Sequence, residues 1–257
     1  MDHIMLPTNV SFEETEKPHV GKLVISPCQQ GYGITLGNSL RRVLLASLPG
    51  AAVESVKIDG VQHEFSAIDD VQEDMVEVLL NLKQLAVTSH ADGAVVLKLK
   101  KKGKGEVTAA DFEKNADIDI ANPKLKIMTV TKADREIDME VIIGNGVGYI
   151  PASEKETKNL DLGTIVADSL YTPIRDIGYG IENTRVGDVT DYEKLTISIE
   201  TNGTVTPQEA VHQATKILMD HFALVLSAAD GGAAAKSAVK EELSVSEETP
   251  SEEEGNE

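Results

Sequence analysis

Two segments with helical periodicity, one near each end of the chain, are apolar around more of their circumference than one packed face requires. In residues 36–48 apolar side chains recur at helical spacing and then extend beyond a single stripe, and in residues 206–226 they cover about half of the helix. Large exposed apolar patches are rare on monomeric proteins. Each helix is therefore expected to be buried on two sides, either between elements of one chain or against a partner, and periodicity does not separate these alternatives.

Local signals set the bounds of these two helices. Thr35 is the natural N-cap of the first helix, and the Pro49–Gly50 pair is predicted to end it. Thr206 is the natural N-cap of the late helix, with Pro207 in the first helical position and Glu209 completing a capping box. Both helices are thus predicted with defined starts.

The residues between these helices favour short antiparallel strands. Candidate strands at residues 95–99, 126–131 and 137–143 are separated by clusters of Gly, Asn, Pro and Asp. A further strand is predicted to begin at residues 63–65, and residues 70–82 predict a helix because their apolar side chains share one face. The predicted fold class is α+β, rich in antiparallel pairing.

The chain is strongly acidic, with a formal net charge of −19 from 43 acidic and 24 basic side chains in 257 residues. The average field repels phosphate backbones and anionic lipid surfaces, which argues for protein partners, for little or no direct DNA contact and against a membrane. Part of the excess lies in residues 236–257, which hold eight Glu, two Lys and no aromatic residue. We predict that residues 231–257 form an acidic disordered tail.

Cysteine usage and the absence of an apolar leader indicate the cytoplasm. Cys28 is the single cysteine, so no intramolecular disulfide can form. No segment has the charged start, apolar centre and small-residue cleavage site of a secretory signal, and no apolar stretch approaches the roughly 20 residues that span a bilayer. A cytoplasmic location fits these features best.

No group of residues has the pattern of a catalytic, metal or cofactor site. The six histidines are scattered, and none stands with Cys or carboxylates at metal-ligand spacing. Gly31, Gly33 and Gly37 miss the dinucleotide-binding fingerprint, and no lysine follows them as in a P-loop. The lysine run at residues 98–104 has no interleaved aromatic residue, so we interpret it as surrounding a hairpin turn instead of binding nucleic acid. We expect no catalytic residue, no metal and no cofactor.

The first helical segment also carries a family resemblance. Residues 33–50, with the sequence GITLGNSLRRVLLASLPG, resemble the first helix of bacterial RNA polymerase alpha subunits. Further blocks that resemble the family follow in the family's order, so that the resemblance covers about residues 10–228. These blocks are VQEDMVEVLLNLK at 71–83, GYIPA at 148–152, YTPI at 171–174, DYEKL at 191–195 and TNGTVTPQEA at 201–210.

The resemblance implies a homodimer that scaffolds assembly of the beta and beta-prime catalytic subunits of a DNA-directed RNA polymerase. It implies a discontinuous dimerisation domain, an antiparallel sheet with two interface helices, from residues 1–51 and 172–230, with an inserted, mostly β domain at 52–171. The residues that it implies for contact with the large subunits are Arg42, Leu45, Lys83, Asp168 and Tyr171. Arg41 is expected to join this contact, because the Arg41–Arg42 pair lies at the edge of the apolar arc, where a guanidinium could meet carboxylates of a partner. The residues that the resemblance implies for the dimer interface are Leu36, Leu40, Val43, Leu44, Val211, Ala214, Leu218, Phe222 and Val225.

The chain departs from the family after Ala228. Most members continue through a linker into a small helical domain that binds promoter DNA and activators, and nothing here matches that module, so we expect no DNA contact of that kind. Two other classes of function stay open, namely a stand-alone homodimeric binding protein and an enzyme that acts on nucleotides alone. The enzyme would need an acidic cluster to hold a metal, which the sequence does not show.

Overall fold

The computed structural model describes residue 4 and residues 6–15, 17, 19–155, 161–187 and 189–229. The predicted acidic tail at 231–257 lies outside the described residues. The chain divides into two compact units, residues 1–214 and residues 215 onward, and each is described by itself. As predicted, the fold is α+β and mostly antiparallel.

The described chain contains three α-helices, fourteen strands and two short 3-10 turns. The helices are α1 (Tyr32–Ala46), α2 (Met75–Leu82) and α3 (Pro207–Ala229). The strands are β1 (Asn9–Glu14), β2 (Val20–Cys28), β3 (Pro49–Ile58), β4 (Val87–Ser89), β5 (Val95–Lys102), β6 (Gly105–Thr108), β7 (Ile118–Ile120), β8 (Lys126–Val130), β9 (Glu136–Val147), β10 (Tyr149–Ile150), β11 (Thr164–Val166), β12 (Ser169–Leu170), β13 (Ile174–Val186) and β14 (Val189–Thr201).

One four-stranded antiparallel sheet is built from both ends of the folded chain. Its order is β1-β2-β14-β13, so two early strands pair with two late ones. Leu195, Ile197 and Ile199 of β14 are buried completely on one face of this sheet. These residues alternate with the less buried polar residues Thr196 and Ser198, which is the period of two that a half-covered antiparallel sheet requires.

A six-stranded sheet occupies the middle of the chain. It has the order β5-β9-β3-β4-β7, and β11 pairs with β3 outside that path. Two two-stranded sheets, β6 with β8 and β10 with β12, complete this region. The core cluster that the large sheet shares with α2 includes Val56, Leu82 and Ile143, each with no exposed surface. The predicted discontinuous architecture, with a mostly β middle region, is thereby confirmed.

The first helix packs on the four-stranded sheet along one narrow stripe. Its buried residues are Gly33, Gly37, Leu40 and Leu44, which share one face of a helix. A Cβ added at Gly37 would stand 2.9 Å from Cδ2 of Tyr179 on β13. The glycine therefore allows the helix and the sheet to approach closely, and the prediction that α1 is buried on two sides is not met within the single chain.

The bounds of α1 differ from the prediction. The helix begins at Tyr32, and Gly31 is its N-cap with a φ of 85°. Thr35 does not cap it, because its hydroxyl donates to the Gly31 carbonyl oxygen over 3.1 Å. The helix ends at Ala46, and Pro49 begins β3 instead of only ending the helix.

Two further local predictions were wrong. Helix α2 begins at Met75 instead of near residue 70, because the side chain of Asp74 caps it by accepting from Glu77 N over 2.8 Å. Residues 63–65, predicted as the start of a strand, form a turn in which Ser66 N donates to His63 O over 3.1 Å. The apolar side chain of that turn, Phe65, is 80% exposed, so burial does not hold the segment in a sheet.

The start of α3 was predicted correctly. Pro207 is its first residue, and Glu209 N donates to Thr206 Oγ1 over 3.2 Å. The lysine run, by contrast, does not surround a hairpin. Its strands β5 and β6 follow each other in the chain, but β5 pairs with β9 and β6 pairs with β8. The turn between them links two sheets.

Candidate protein-interaction surfaces

The outward side of α1 carries two basic residues next to apolar ones. Arg41 and Arg42 are exposed, and Leu45 is half-buried. Ile34, near the start of the same helix, is 56% exposed. Within the described residues neither arginine forms an ion pair. The guanidinium groups therefore remain available to carboxylates of a partner.

Lys83 and Asp168, which are 85 residues apart in the chain, meet at the end of α2. Lys83 Nζ lies 3.2 Å from Asp168 Oδ2 and 5.0 Å from the centre of the Tyr149 ring. Ala152 N donates to the other oxygen of Asp168 over 2.9 Å. This backbone hydrogen bond, together with the Tyr149 hydroxyl and Lys83, lowers the pKa of Asp168 below its ordinary value.

The segment that carries Asp168 is held by a second lysine. Lys155 Nζ donates to Ala167 O over 2.6 Å and to Glu54 O over 3.2 Å, and it also contacts the Ser169 hydroxyl. Burial lowers the pKa of Lys155, although the nearby carboxylates of Glu54 and Asp168 act in the opposite direction. The residues on both sides of Asp168 are thus fixed by one side chain.

Tyr171 does not lie on the surface as its predicted role would suggest. Its side chain is 3% exposed, its hydroxyl donates to Glu54 Oε1 over 2.6 Å, and its backbone N donates to Gly148 O over 2.9 Å. Burial, and then the hydrogen bond to Glu54, raise the pKa of Tyr171 to about 12. The buried Tyr171 therefore anchors the segment that carries Asp168 through these two hydrogen bonds.

The end of α1 lies close to the turn before Tyr149. Gly148 has a φ of 65°, and a Cβ added there would lie 3.4 Å from the Ala46 carbonyl oxygen. The end of α1 therefore adjoins the turn before Tyr149, whose ring lies against Lys83. These neighbouring elements carry Arg41, Arg42, Leu45, Lys83, Tyr149 and Asp168, and we call this set of residues the basic face.

Sequence reasoning did not identify the exposed aromatic and apolar side chains on the elements that carry the basic face. Tyr149 is 51% exposed although it lies in the GYIPA block, and no local pattern marks it as a surface residue. Other large apolar side chains on α2, β9 and β12 are exposed as well. They are Val76 at 38%, Leu80 at 56%, Val147 at 52% and Leu170 at 44%.

The residues predicted for the dimer interface fall into three groups. Four are buried within the single chain, with Leu40 at 7%, Leu44 at 0%, Val211 at 8% and Ala214 at 0% exposure. Leu36, Val43 and Leu218 are half-buried. Only Phe222 and Val225 are exposed, at 63% and 66%.

The described part of the second unit, residues 215–229, carries the largest concentration of exposed apolar side chains. Met219 is 65% exposed, Leu224 52% and Leu226 63%. Together with Phe222 and Val225 they occur on more than one side of α3. We call these five residues the apolar end of α3. Such a surface is typical of a segment that packs against a partner.

The glycines at the start of α1 bind a carboxylate of the same chain. Gly31 N donates to Glu193 Oε1 and Gly33 N donates to Glu193 Oε2, both over 2.9 Å. The N-terminus of α1, where an external anion would otherwise bind, is therefore occupied by a carboxylate of β14. Nearby Cys28 is 1% exposed, and burial, with a smaller effect of Glu193, raises the pKa of its thiol. Cys28 is thus a packed thiol with little thiolate character.

The lysine run is paired with acidic residues of neighbouring elements. Lys98 Nζ lies 2.7 Å from Glu140 Oε1, and Lys100 Nζ lies 2.8 Å from Asp138 Oδ2. Lys101 is likewise paired with an acidic side chain. The positive charge of this run is largely compensated on the protein, which weakens its field for phosphates.

The described residues contain neither a metal-binding cluster nor a membrane-spanning helix. No group of three or more His, Cys, Asp or Glu side chains is placed to hold a metal ion. Among the described helices, none combines the length and hydropathy that a membrane span requires.

A basic face rimmed by apolar side chains, together with an exposed apolar helix end, is typical of a subunit of a larger protein assembly. Comparison with known proteins shows which assembly is meant. A family model described as the RNA polymerase Rpb3/RpoA insert domain matches residues 56–172. The chain belongs to the family of DNA-directed RNA polymerase alpha subunits.

Three relatives, each named DNA-directed RNA polymerase subunit alpha, illustrate the similarity. The protein of Symbiobacterium thermophilum is 52% identical over 207 residues, which are 80% of this chain and 65% of the relative. The protein of Clostridium botulinum is 45% identical over 218 residues, 85% of this chain and 69% of the relative. The protein of Staphylococcus epidermidis is 44% identical over 230 residues, 90% and 73% of the two chains. The chain thus spans about two thirds of the length of these relatives.

Proposed function

We propose that this chain is the alpha subunit of a DNA-directed RNA polymerase, in which it dimerises and scaffolds assembly of the beta and beta-prime catalytic subunits. The observation that carries the proposal is the basic face. The end of α1, at Ala46, adjoins the turn that places Tyr149 against the Lys83–Asp168 pair, and Arg42 and Leu45 lie near that end of the helix. The proposal is supported because the residues that the resemblance implies for large-subunit contact lie on elements that approach each other here, although they are distant in the chain.

The chemistry of the basic face fits a partner that combines carboxylates with apolar side chains. Arg41 and Arg42 are exposed and form no ion pair within the described chain. Arginine and aromatic residues such as Tyr149 are enriched among the residues that contribute most to protein binding. The exposed Leu80 and Leu170 would add apolar area around them. Tyr171, which is buried, would support this surface instead of touching the partner.

The apolar end of α3 supports homodimerisation. Phe222 and Val225 are more than half exposed in the single chain, together with Met219, Leu224 and Leu226. A second copy that covers them would remove this surface from water by an isologous contact. Leu40, Leu44, Val211 and Ala214, which are buried in the single chain, would then stabilise the helices from within.

The proposed domain division is 1–51 with 172–230 for dimerisation and 52–171 for the insert. The match of the insert-domain model to residues 56–172 and the pairing of early with late strands in the four-stranded sheet support this division. We also propose that catalysis belongs to the large subunits, that this chain makes little or no direct DNA contact, and that it works in the cytoplasm. The pairing of the lysine run with acidic residues and the net charge of −19 support little or no direct DNA contact.

The test is affinity purification of the tagged chain from its own cells at moderate salt, with mass spectrometry of the co-purifying polypeptides. We expect the two large polymerase subunits and two copies of this chain per complex. A clean homodimer without a large partner would instead favour the stand-alone binding protein. Nucleotide turnover by the isolated chain would favour the enzyme.

Two substitutions test the basic face directly. We expect Arg42→Ala and Leu45→Ala each to abolish capture of the large subunits while the homodimer stays intact. Arg185→Ala, at the β13–β14 hairpin, and Leu162→Ala, at a side chain that is 99% exposed, are matched controls that should capture normally. Normal capture by both Arg42→Ala and Leu45→Ala would contradict the proposed surface.

A further inference from the structure

A buried carboxylate, Glu193, reaches out of the four-stranded sheet toward α1. Glu193 on β14 pairs with Cys28 of β2, and the register of the two strands shifts between Glu193 and Leu195. Such bulges change the direction in which a side chain points. The side chain of Glu193 is directed to the start of the helix, and the residue is 8% exposed.

The carboxylate replaces the cap that α1 lacks. The N-cap residue is Gly31, no acidic residue stands in the first turn, and the Thr35 hydroxyl is directed to a carbonyl instead. The first N–H groups of a helix have no partner within the helix. Glu193 accepts from Gly31 N and from Gly33 N, each over 2.9 Å, and its negative charge also lies at the positive end of the helix dipole.

No cation compensates this charge within the described residues, since none of the ion pairs found there involves Glu193. A buried carboxylate is costly unless it is hydrogen-bonded, so its attachment to the end of α1 is strongly favoured over other positions. This contact therefore favours the position of α1 in which Gly31 N and Gly33 N reach Glu193.

The sequence of α1 is adapted to this contact. A Cβ added at Gly33 would lie 2.7 Å from Glu193 Oε2 and 3.5 Å from Ile181 Cδ1. Only a residue without a side chain leaves room for the carboxylate at that point. Part of the GxGxxxG spacing is thus explained by an internal anion site.

We propose that Glu193 is a positioning residue: by holding the N-terminus of α1 it fixes where the helix lies on the sheet, and thereby presents Arg42 and Leu45 to the large subunit. The inference rests on the proposed function of the basic face. Glu193 itself would touch no partner, and its effect on binding is transmitted through the helix.

The test compares wild type, Glu193→Gln and Glu193→Ala as the full chain, with two readouts. The first is hydrogen exchange at the amides of Gly31 and Gly33, and the second is the affinity for the purified beta subunit. We expect amide protection and beta-subunit affinity both to be highest in wild type, lower in Glu193→Gln and lowest in Glu193→Ala. The glutamine amide keeps one acceptor oxygen, whereas alanine keeps none. The loss of affinity for Glu193→Ala should be about tenfold or more, with the homodimer retained.

A destabilised control separates positioning from general loss of stability. Val107→Ala creates a cavity in the core of the middle region, far along the chain from α1, and should lower Tm while leaving beta affinity unchanged. If Glu193→Ala does not fold, Gly33→Ala, whose Cβ would displace the carboxylate, takes its place.

Three outcomes are distinguishable. If Glu193→Ala loses amide protection but keeps its affinity for the beta subunit, the positioning role is overturned. It is also overturned if Val107→Ala, at the same Tm as Glu193→Ala, loses as much affinity. Failure of the wild-type chain to bind the beta subunit at all would instead remove the proposed function on which the inference rests.

Discussion

The hydroxyl of Tyr171 donates to Glu54 Oε1 over 2.6 Å and so joins the two places where the chain passes between the four-stranded and six-stranded sheets. Glu54 lies in β3, directly after α1, and Tyr171 lies between β12 and β13. The carbonyl of Tyr171 also lies directly against Gly50, where any Cβ would collide with it. The pair therefore links the two connections at a point three residues after Asp168 of the basic face.

This pair predicts a loss of stability at high pH. The pKa of Tyr171 rises from the ordinary 10.0 to about 12 in the folded chain. Because the folded-state pKa is the higher one, the contribution is complete below pH 10 and is lost as the pH rises through 12, by about 2 to 3 kcal/mol in total. Urea unfolding of wild type and Tyr171→Phe across this range measures it. Equal pH slopes for the two proteins would contradict the assignment.

The Lys83–Asp168 pair is predicted to matter for binding more than for folding. Both side chains are partly exposed, at 30% and 40%, so Lys83→Ala should cost less than about 1 kcal/mol of stability. Binding of the large subunits should weaken by about tenfold or more, since the pair lies in the proposed contact surface. Lys57→Ala, in the exposed Lys57–Asp161 pair, is the control for stability and binding. Similar binding by Lys83→Ala and Lys57→Ala would remove Lys83 from the surface.

Charge placed on the apolar end of α3 should separate the dimer. Phe222→Asp or Val225→Asp would bury a carboxylate in the proposed contact, and we expect monomers in sedimentation at micromolar concentration. Lys216→Glu adds negative charge at an exposed position of the same helix and should leave the dimer intact. A dimer that persists in both aspartate variants would show that another surface holds the copies together.

Crowding beneath α1 should outweigh helix propensity at Gly37. Replacing glycine by alanine inside a helix gains about 1 kcal/mol, but the new Cβ at Gly37 would stand 2.9 Å from the Tyr179 ring and 3.1 Å from Leu195. We expect a net destabilisation of about 1 to 2 kcal/mol by thermal unfolding. Asn38→Ala, at an exposed neighbouring position, should be neutral or slightly stabilising. A Gly37→Ala protein as stable as wild type would mean that the sheet yields at this point.

Local patterns were most successful where a segment carries its own signal. Pro207 after Thr206 placed the start of α3, because both residues favour a helix N-terminus whatever surrounds them. The start of α1 was misplaced for the opposite reason. Its cap comes from Glu193, which is 162 residues away from Gly31, and no local pattern could indicate it.

The sequence by itself determined the α+β class, the three strands β5, β8 and β9 of the middle region and the two helices with surplus apolar surface, because these depend on periodicity and on residues close in the chain. Only the tertiary structure decided that Leu44 is core while Phe222 is exposed, since both have the same helical pattern and differ in what packs against them. It also decided that Lys83 meets Asp168 across 85 residues. Strand register and helix placement create such contacts, and neither is encoded in a local pattern.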